Sequence, residues 1–285
     1  MNTIFRLHAH ATRELRAIYD ENETRFLCAI ISRALFRYTK VDIHLRKHEP
    51  LPEDAANKFL EVIERLKAGV PYQYAMGETE FAGHTFHLNS HTLIPRPETE
   101  ELVQWAAESA ALQAGDRLLD VGAGSGCIAI SLAARFPGVE VHGIDLSATA
   151  IRQARANARL NNVTATFMTR DITRYQKWSW PPYNAIISNP PYVRHSERAF
   201  MSDRVLLHEP HRALFVPDAD PLLFYRVIAA FARRHLLPGG LIFFEINEAL
   251  GSRVVALLQA AGYPRVAVRR DLFGKERMVR CEKAK

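Results

Sequence analysis

Two hydrophobic rhythms divide this chain. Through about residue 67 the apolar positions recur at helical spacing: Leu27, Ile30, Ile31 and Leu35 share one face, and Phe59, Ile63 and Leu66 repeat it at i, i+4, i+7. Pro52 stands near the start of the last of these helices, and Gly69 and Pro71 stop it. The pattern predicts a small helical bundle, marginal alone and expected to dock on something. From Val70 to Leu93 the period shortens, and Gly77, Gly83 and the alternation around Phe81, Thr85, Phe86 and Leu88 predict a hairpin.

Beyond it, strand and helix patterns alternate. Apolar strands are expected over 117–121, 139–144, 164–169, 183–188, 240–246, 265–270 and 277–282, with helices entered at Pro97 and spanning 127–135, 147–160, 222–236 and 249–261. Pro97 presets a helix entry, and the acidic Glu98 and Glu100 suit its first turn. Repeated β-α-β units mean an α/β domain with a doubly wound, mostly parallel seven-stranded sheet, whose ligand lies outside the carboxyl ends of the strands. The expected organisation is a helical domain over 1–75, a hairpin linker over 76–97 and the α/β domain over 98–285.

Composition narrows this little. With 48% hydrophobic and 24% charged residues the chain reads as globular, and its net charge of +6 fits either a nucleic-acid neighbourhood or a solvated basic surface. Cys28, Cys127 and Cys281 are widely spaced and odd in number, which argues for a reducing compartment. Arg6 and His8 break the first ten residues, so no signal peptide is expected, and no apolar stretch is long enough to span a bilayer. These features predict a cytoplasmic protein without membrane contact. His84, His87 and His91 suggest a metal, but in a strand His84 and His87 face opposite sides and no carboxylate or thiol completes a set, so none is expected.

Chemistry concentrates at the ends of the strands. The stretch Asn189-Pro190-Pro191-Tyr192 follows the fourth one. Two prolines lack N–H groups and fix φ, so the backbone is stiff and its carbonyls are left as acceptors. With the Asn189 amide oxygen and the flat Tyr192 ring, this corner suits a planar NH2 group. A Pro-rich turn is the plain alternative. The first strand runs through Asp120 into Gly122, Ala123, Gly124, Ser125 and Gly126, a loop that permits close backbone approach by a ligand. A dinucleotide fingerprint would need a glycine at Cys127, and no phosphate-cradling Gly-Lys-Ser/Thr is present. Asp145 ends the second strand, where it can accept two ribose hydroxyls, and Asp171 and Ile172 end the third, where a carboxylate meets an adenine amine and the isoleucine borders the ring. Helix capping is the alternative for Asp145.

The glycine spacing behind Asp120 resembles the first motif of S-adenosylmethionine-dependent methyltransferases. The chain as a whole is similar to the protein-(glutamine-N5) methyltransferases of peptide chain release factors. The likeness rests on residues 69–81 (G-V-P-Y-Q-Y-A-M-G-E-T-E-F), residues 93–103 (L-I-P-R-P-E-T-E-E-L-V), the glycine loop, Asn189 to Tyr192, Glu209-Pro210 with Ala213-Leu214, and Asp271, Gly274 and Arg277. That resemblance implies methylation of the glutamine amide of a Gly-Gly-Gln tripeptide, cofactor contacts at Gly122–Gly126, Asp145, Ile172 and Asn189, and a glutamine clamp at Asn189, Pro190, Pro191 and Tyr192. It implies release-factor docking by the helical part. Separately, a monomer with no stable nucleic-acid partner is expected. An amine methyltransferase of adenine or guanine would use the same clamp, although no target-recognition domain or basic-aromatic stripe is seen. A non-catalytic cofactor-binding module is disfavoured because the clamp is intact.

Overall fold

The computed structural model describes residues 2–285, which form two compact units. The first comprises the residues through Gly77 together with Asp203–His208, and the second comprises Glu78–Ser202 and Glu209–Lys285. The hairpin expected as a linker therefore belongs to the second unit, and a short segment from far along the sequence belongs to the first.

The helical unit contains α1 (Ile4–Leu15), α2 (Glu21–Phe36), α3 (Lys40–Leu45), α4 (Glu53–Lys67) and α5 (Tyr72–Met76). Each early helix starts where a side chain satisfies a free N–H: Thr3 caps α1 through Arg6 N, Asp20 caps α2 through Glu23 N, and Thr39 and Asp42 form a capping box on α3. The buried stripes Ile4, Leu7, Ala11, Leu15 and Phe59, Val62, Ile63, Leu66 meet Leu27 and Ile31 in one core. Ile30 and Leu35, expected on that face, are only partly buried. The helix α5 was not expected, because Tyr72–Met76 lies inside the stretch whose alternation points to a hairpin.

In the second unit, β1 (Glu78–Phe81) and β2 (His84–His87) pair antiparallel across Ala82 and Gly83, which both take positive φ as a tight hairpin turn requires. After α6 (Pro97–Ser109) the chain runs β3 (Arg117–Val121), α7 (Cys127–Arg135), β4 (Glu140–Asp145), α8 (Ala148–Leu160), β5 (Thr166–Thr169) and β6 (Tyr183–Ser188). Two short strands, β7 (Val193–Arg194) and β8 (Phe215–Val216), pair with each other and enclose in sequence the short helices α9 (Asp203–His208) and α10 (His211–Leu214). The unit ends with α11 (Leu223–His235), β9 (Leu236–Glu245), α12 (Gly251–Ala260), β10 (Ala267–Arg270) and β11 (Glu276–Glu282).

The main sheet has seven strands in the order β10-β11-β9-β6-β3-β4-β5, all parallel except β11. This is the expected doubly wound α/β fold. Alternation along each strand feeds two cores: Leu118, Ala185, Ile187 and Phe243 face α6, α7 and α8, while Leu119, Ile186, Ile242 and Phe244 face α11 and α12. From β3 the chain winds outward through β4 and β5, then returns to β6 on the other side of β3. That reversal opens a crevice at the carboxyl ends of β3 and β6.

Candidate active site

The crevice is bounded by two loops that sequence places 63 or more positions apart. Ser188, at the end of β6, donates from its buried hydroxyl to the Val121 carbonyl at the end of β3 (2.6 Å), so the two strand tips are tied together. The glycine loop then bends back over β4, with Gly122 and Ala123 both donating to the Ile144 carbonyl at 2.9 Å. Its three glycines have φ of +81°, +54° and +84°, a region that side chains with a Cβ rarely enter. A Cβ built on Gly122 would stand 3.9 Å from the Asn189 carbonyl oxygen, which puts the two motifs in van der Waals reach of each other.

A cavity of about 410 Å³ opens here. Gly122, Gly124, Asp145, Asp171, Ile172, Asn189, Pro190 and Pro191 all line it. Ala123, Ser125 and Gly126 do not: they are the buried positions of the loop, with Gly126 serving as the N-cap of α7. Tyr192 is not part of the wall either. Pro210 to Ala213 also line it, a segment the sequence alone gives no role in the site.

Asp145 combines the two readings open for it. One oxygen accepts from Ser147 N at 2.7 Å, as a turn into α8 requires, and the other accepts from Gly124 N at 2.9 Å. Burial raises its pKa above the ordinary carboxylate value, opposed by these two N–H bonds. Each oxygen keeps a lone pair, so the carboxylate still has acceptor capacity in the cavity. Asp171 similarly caps the 3-10 turn Ile172–Lys177, one oxygen accepting from the Thr173 N–H and hydroxyl at 2.9 and 2.7 Å.

Beside the cavity lies a chain of polar contacts. The Asn189 amide donates from Nδ2 to Thr99 Oγ1 at 3.0 Å, and that hydroxyl donates to Glu245 Oε2 at 2.6 Å. The Tyr192 hydroxyl donates to Glu245 Oε1 at 2.9 Å. Glu245 is 1% exposed and Thr99 is 2% exposed, so this network is shielded from water. Burial raises the Glu245 pKa, with both hydroxyl bonds and Arg277 opposing. Burial first, and then the Glu245 carboxylate, push the Tyr192 phenol well above its usual range. Tyr192 thus presents its hydroxyl to Glu245 while its ring stays partly exposed.

Several residues here escaped the sequence reading. Thr99 sits in the first turn of α6, where a polar residue is unremarkable, Arg96 immediately precedes that helix, and Glu245 closes β9. Glu245 carried a usable signal: a charge closing the apolar run 241–244 at a strand's carboxyl end is a candidate site residue. Since Phe243 faces α6, period two puts Glu245 on the same side, opposite Thr99. Arg96 donates to Glu209 at 2.6 Å, and the second Glu209 oxygen accepts from Ile94 N. Asn157 on α8 had no signal at all. Its buried amide accepts from His87 N and donates to the Ser125 carbonyl, joining the hairpin to the glycine loop. Arg155 on the same helix donates to the Phe167 carbonyl.

Comparison with known proteins adds to this geometry. Residues 6–77 match the PrmC N-terminal domain and residues 101–216 the Methyltransferase small domain. The release factor glutamine methyltransferase of Flavobacterium psychrophilum is 41% identical over 270 residues, covering 93% of this chain and 94% of that protein. Its counterpart in Bacteroides thetaiotaomicron is 38% identical over 274 residues, covering 96% and 98%. Among solved structures, a methyltransferase from Pyrococcus furiosus superposes with a TM-score of 0.54 over 78% of this chain and 100% of that one, at 18% identity, a likeness of fold alone. With two-fifths of its residues shared along almost the full length of such relatives, and the glycine loop and Asn189 meeting at the switch point of the sheet, the chain belongs to the release factor glutamine methyltransferase family.

Proposed function

We propose that this chain transfers the methyl group of S-adenosylmethionine to the side-chain amide nitrogen of the glutamine in the Gly-Gly-Gln tripeptide of peptide chain release factors. The observation that carries the reading is the meeting of the glycine loop and Asn189 at one crevice. Full-length similarity to release factor glutamine methyltransferases supports the choice of substrate.

The cavity residues suit the donor. Gly122 and Gly124 bring bare backbone to its wall, and the lone pairs left on Asp145 match two ribose hydroxyls. The Asp171 oxygen not used in capping accepts from the adenine amine, and Ile172 borders the ring. Bound there, S-adenosylmethionine supplies an electrophilic methyl on a sulfonium. The chain's own part is to make a poor nucleophile usable, since the lone pair of a carboxamide nitrogen is delocalised into its carbonyl. Asn189 Oδ1 and the Pro190 carbonyl accept the two amide hydrogens, and Tyr192 packs against the amide plane. This grip orients the nitrogen and stabilises the positive charge that grows on it. No strong base is needed beforehand, because the proton leaves after the methyl arrives.

All these residues come from one chain, so a single copy is sufficient to form the site. The helical unit provides docking surface for the release factor, for which the exposed apolar Phe26, Val41 and Leu45 are available. Among the described residues no helix is long and apolar enough to cross a membrane, and we assign the enzyme to the cytoplasm, with the release factors.

Two measurements test the reading. Incubation with isotopically labelled donor and either a release factor or ribosomal RNA should place label in the Gly-Gly-Gln peptide, found by mass spectrometry on the glutamine amide; label in RNA alone, or in neither, overturns it. Asn189→Ala should keep donor affinity largely intact and lower turnover by about 10²–10³-fold, the usual cost of one preorganised polar group at a developing charge. Unchanged turnover would remove the clamp.

A further inference from the structure

Resting on the reading that Asn189 accepts a hydrogen from the substrate carboxamide, we infer that Glu245 and Thr99 are positioning residues: the buried Glu245 carboxylate, through the Thr99 hydroxyl, decides which end of the Asn189 amide faces the substrate.

The argument is a count of hydrogens. Thr99 Oγ1 has two close polar neighbours, Glu245 Oε2 at 2.6 Å and Asn189 Nδ2 at 3.0 Å, but a hydroxyl has one hydrogen. An ionised carboxylate only accepts. Facing one, Thr99 spends its hydrogen on Glu245 and offers a lone pair to Asn189, which answers with its NH2. The two ends of a planar amide point apart, so the Asn189 oxygen is turned away from Thr99 and is free to accept. A proton on Glu245 Oε2 reverses every link. Glu245 then donates to Thr99, Thr99 donates to Asn189, and Asn189 turns its oxygen inward and its NH2 outward. Two hydrogens of the enzyme then confront two of the substrate, and the grip is lost. A proton on Oε1 would instead strand the hydrogen of Tyr192, whose hydroxyl bonds Glu245 alone among the described residues.

Three neighbours favour the charged form of Glu245 against the burial that raises its pKa. From β11, Arg277 faces it while bound to Asp271 at 3.2 Å, and Thr99 on α6 and Tyr192 after β6 each donate a hydrogen. From α11, Tyr225 donates to the Glu245 backbone carbonyl at 3.1 Å and so takes no acceptor site of the carboxylate. Glu98 on α6 and burial itself oppose the charge, and burial prevails enough to raise the pKa. The enzyme should therefore lose rate on acidification at a pH above the ordinary carboxylate range, as Glu245 takes a proton and the chain inverts.

Three variants and one pH series decide the matter. Thr99→Val keeps the shape and removes the hydroxyl; its kcat should fall by about 10- to 100-fold, the usual cost of removing an orienting partner, with donor affinity by calorimetry unchanged. Thr99→Ser should restore most of the rate. The acid limb of kcat in the native enzyme should be absent from Thr99→Val and from Glu245→Gln, which cannot titrate. A Thr99→Val enzyme with native kcat, or a Glu245→Gln enzyme that keeps the acid limb, overturns the inference. If Asn189→Ala is inactive in the same assay, that failure belongs to the relay alone; a fully active Asn189→Ala sinks the clamp and the relay together.

Discussion

Asp120, just before the glycine loop, pairs one carboxyl oxygen with Ala129 N at 3.2 Å and has no partner for the other among the described residues. Complete burial pushes its pKa up to about 8, so at neutral pH it holds a proton inside the core. A carboxyl whose folded pKa is raised gives stability that is complete below the unfolded value of 3.8 and is lost as pH climbs to about 8. Within that window each pH unit costs at most about 1.4 kcal/mol. Asp120→Asn should flatten this dependence: urea unfolding at pH 5 and pH 8 should differ less in the variant than in the native chain, and an equal difference would contradict the assignment. The three cysteines make a similar point. Burial raises the thiols of Cys28, Cys127 and Cys281 to about 12, and alkylating reagents should leave all three unmodified in the folded protein. Modification at native conditions would show up directly in an intact-mass spectrum.

At the scale of elements, the part of the cavity lining formed by Pro210 to Ala213 is anchored by an ion pair. Arg96, the N-cap residue of α6, reaches Glu209, whose side chain is 1% exposed, and so holds the segment that begins with Pro210 against the cavity. Removing one partner of a buried pair leaves a charge without compensation. Arg96 is itself partly exposed, which softens the loss, and Arg96→Ala should cost about 2–4 kcal/mol and weaken donor binding. A denaturation midpoint within error of the native value would mean that water replaces the arginine. The glycine loop depends on its conformation in a different way. Gly126 combines φ of +84° with atoms of Ile130, Ala154 and Phe167 at 3.0–3.1 Å from any added Cβ, so both backbone and packing resist Gly126→Ala.

For the whole molecule, the two units respond to acid with opposite sign. In the helical unit His8 is largely buried, bonded to Ser32 at 2.9 Å and stacked on Phe59, and burial lowers its pKa to about 4. Its contribution is complete above the unfolded value of 6.5 and is lost as pH falls toward 4. In the methyltransferase unit Asp120, raised to about 8, works the other way; Asp145 and Glu245 are raised in the same direction, while the partly buried His235, lowered by burial, opposes them. Acidification from pH 7 to pH 5 should weaken the first unit and strengthen the second. Pulse proteolysis in urea should then find cleavage over 2–77 at lower denaturant at pH 5 than at pH 7, and cleavage over 117–188 at higher denaturant. Parallel shifts of both regions would contradict the scheme.

The chain alone determined what depends on local pattern. Period two and period 3.6 announced the strands β3, β4 and β6 and the helices α7 and α8 to within a residue or so, because burying one face imposes that spacing on any sequence. The glycine loop and Asp145, Asp171 and Asn189 were legible because each stands at a strand's carboxyl end, and a parallel sheet brings those ends to one edge. Only the tertiary structure decided what those residues touch. Whether Thr99 caps a helix or orients Asn189, whether Arg96 is surface or anchor, and whether Asn157 packs or clamps depend on partners 70 to 146 positions away. No periodicity encodes such distances: hydrophobic spacing says which face is buried, while a hydrogen bond needs the direction and identity of one particular neighbour.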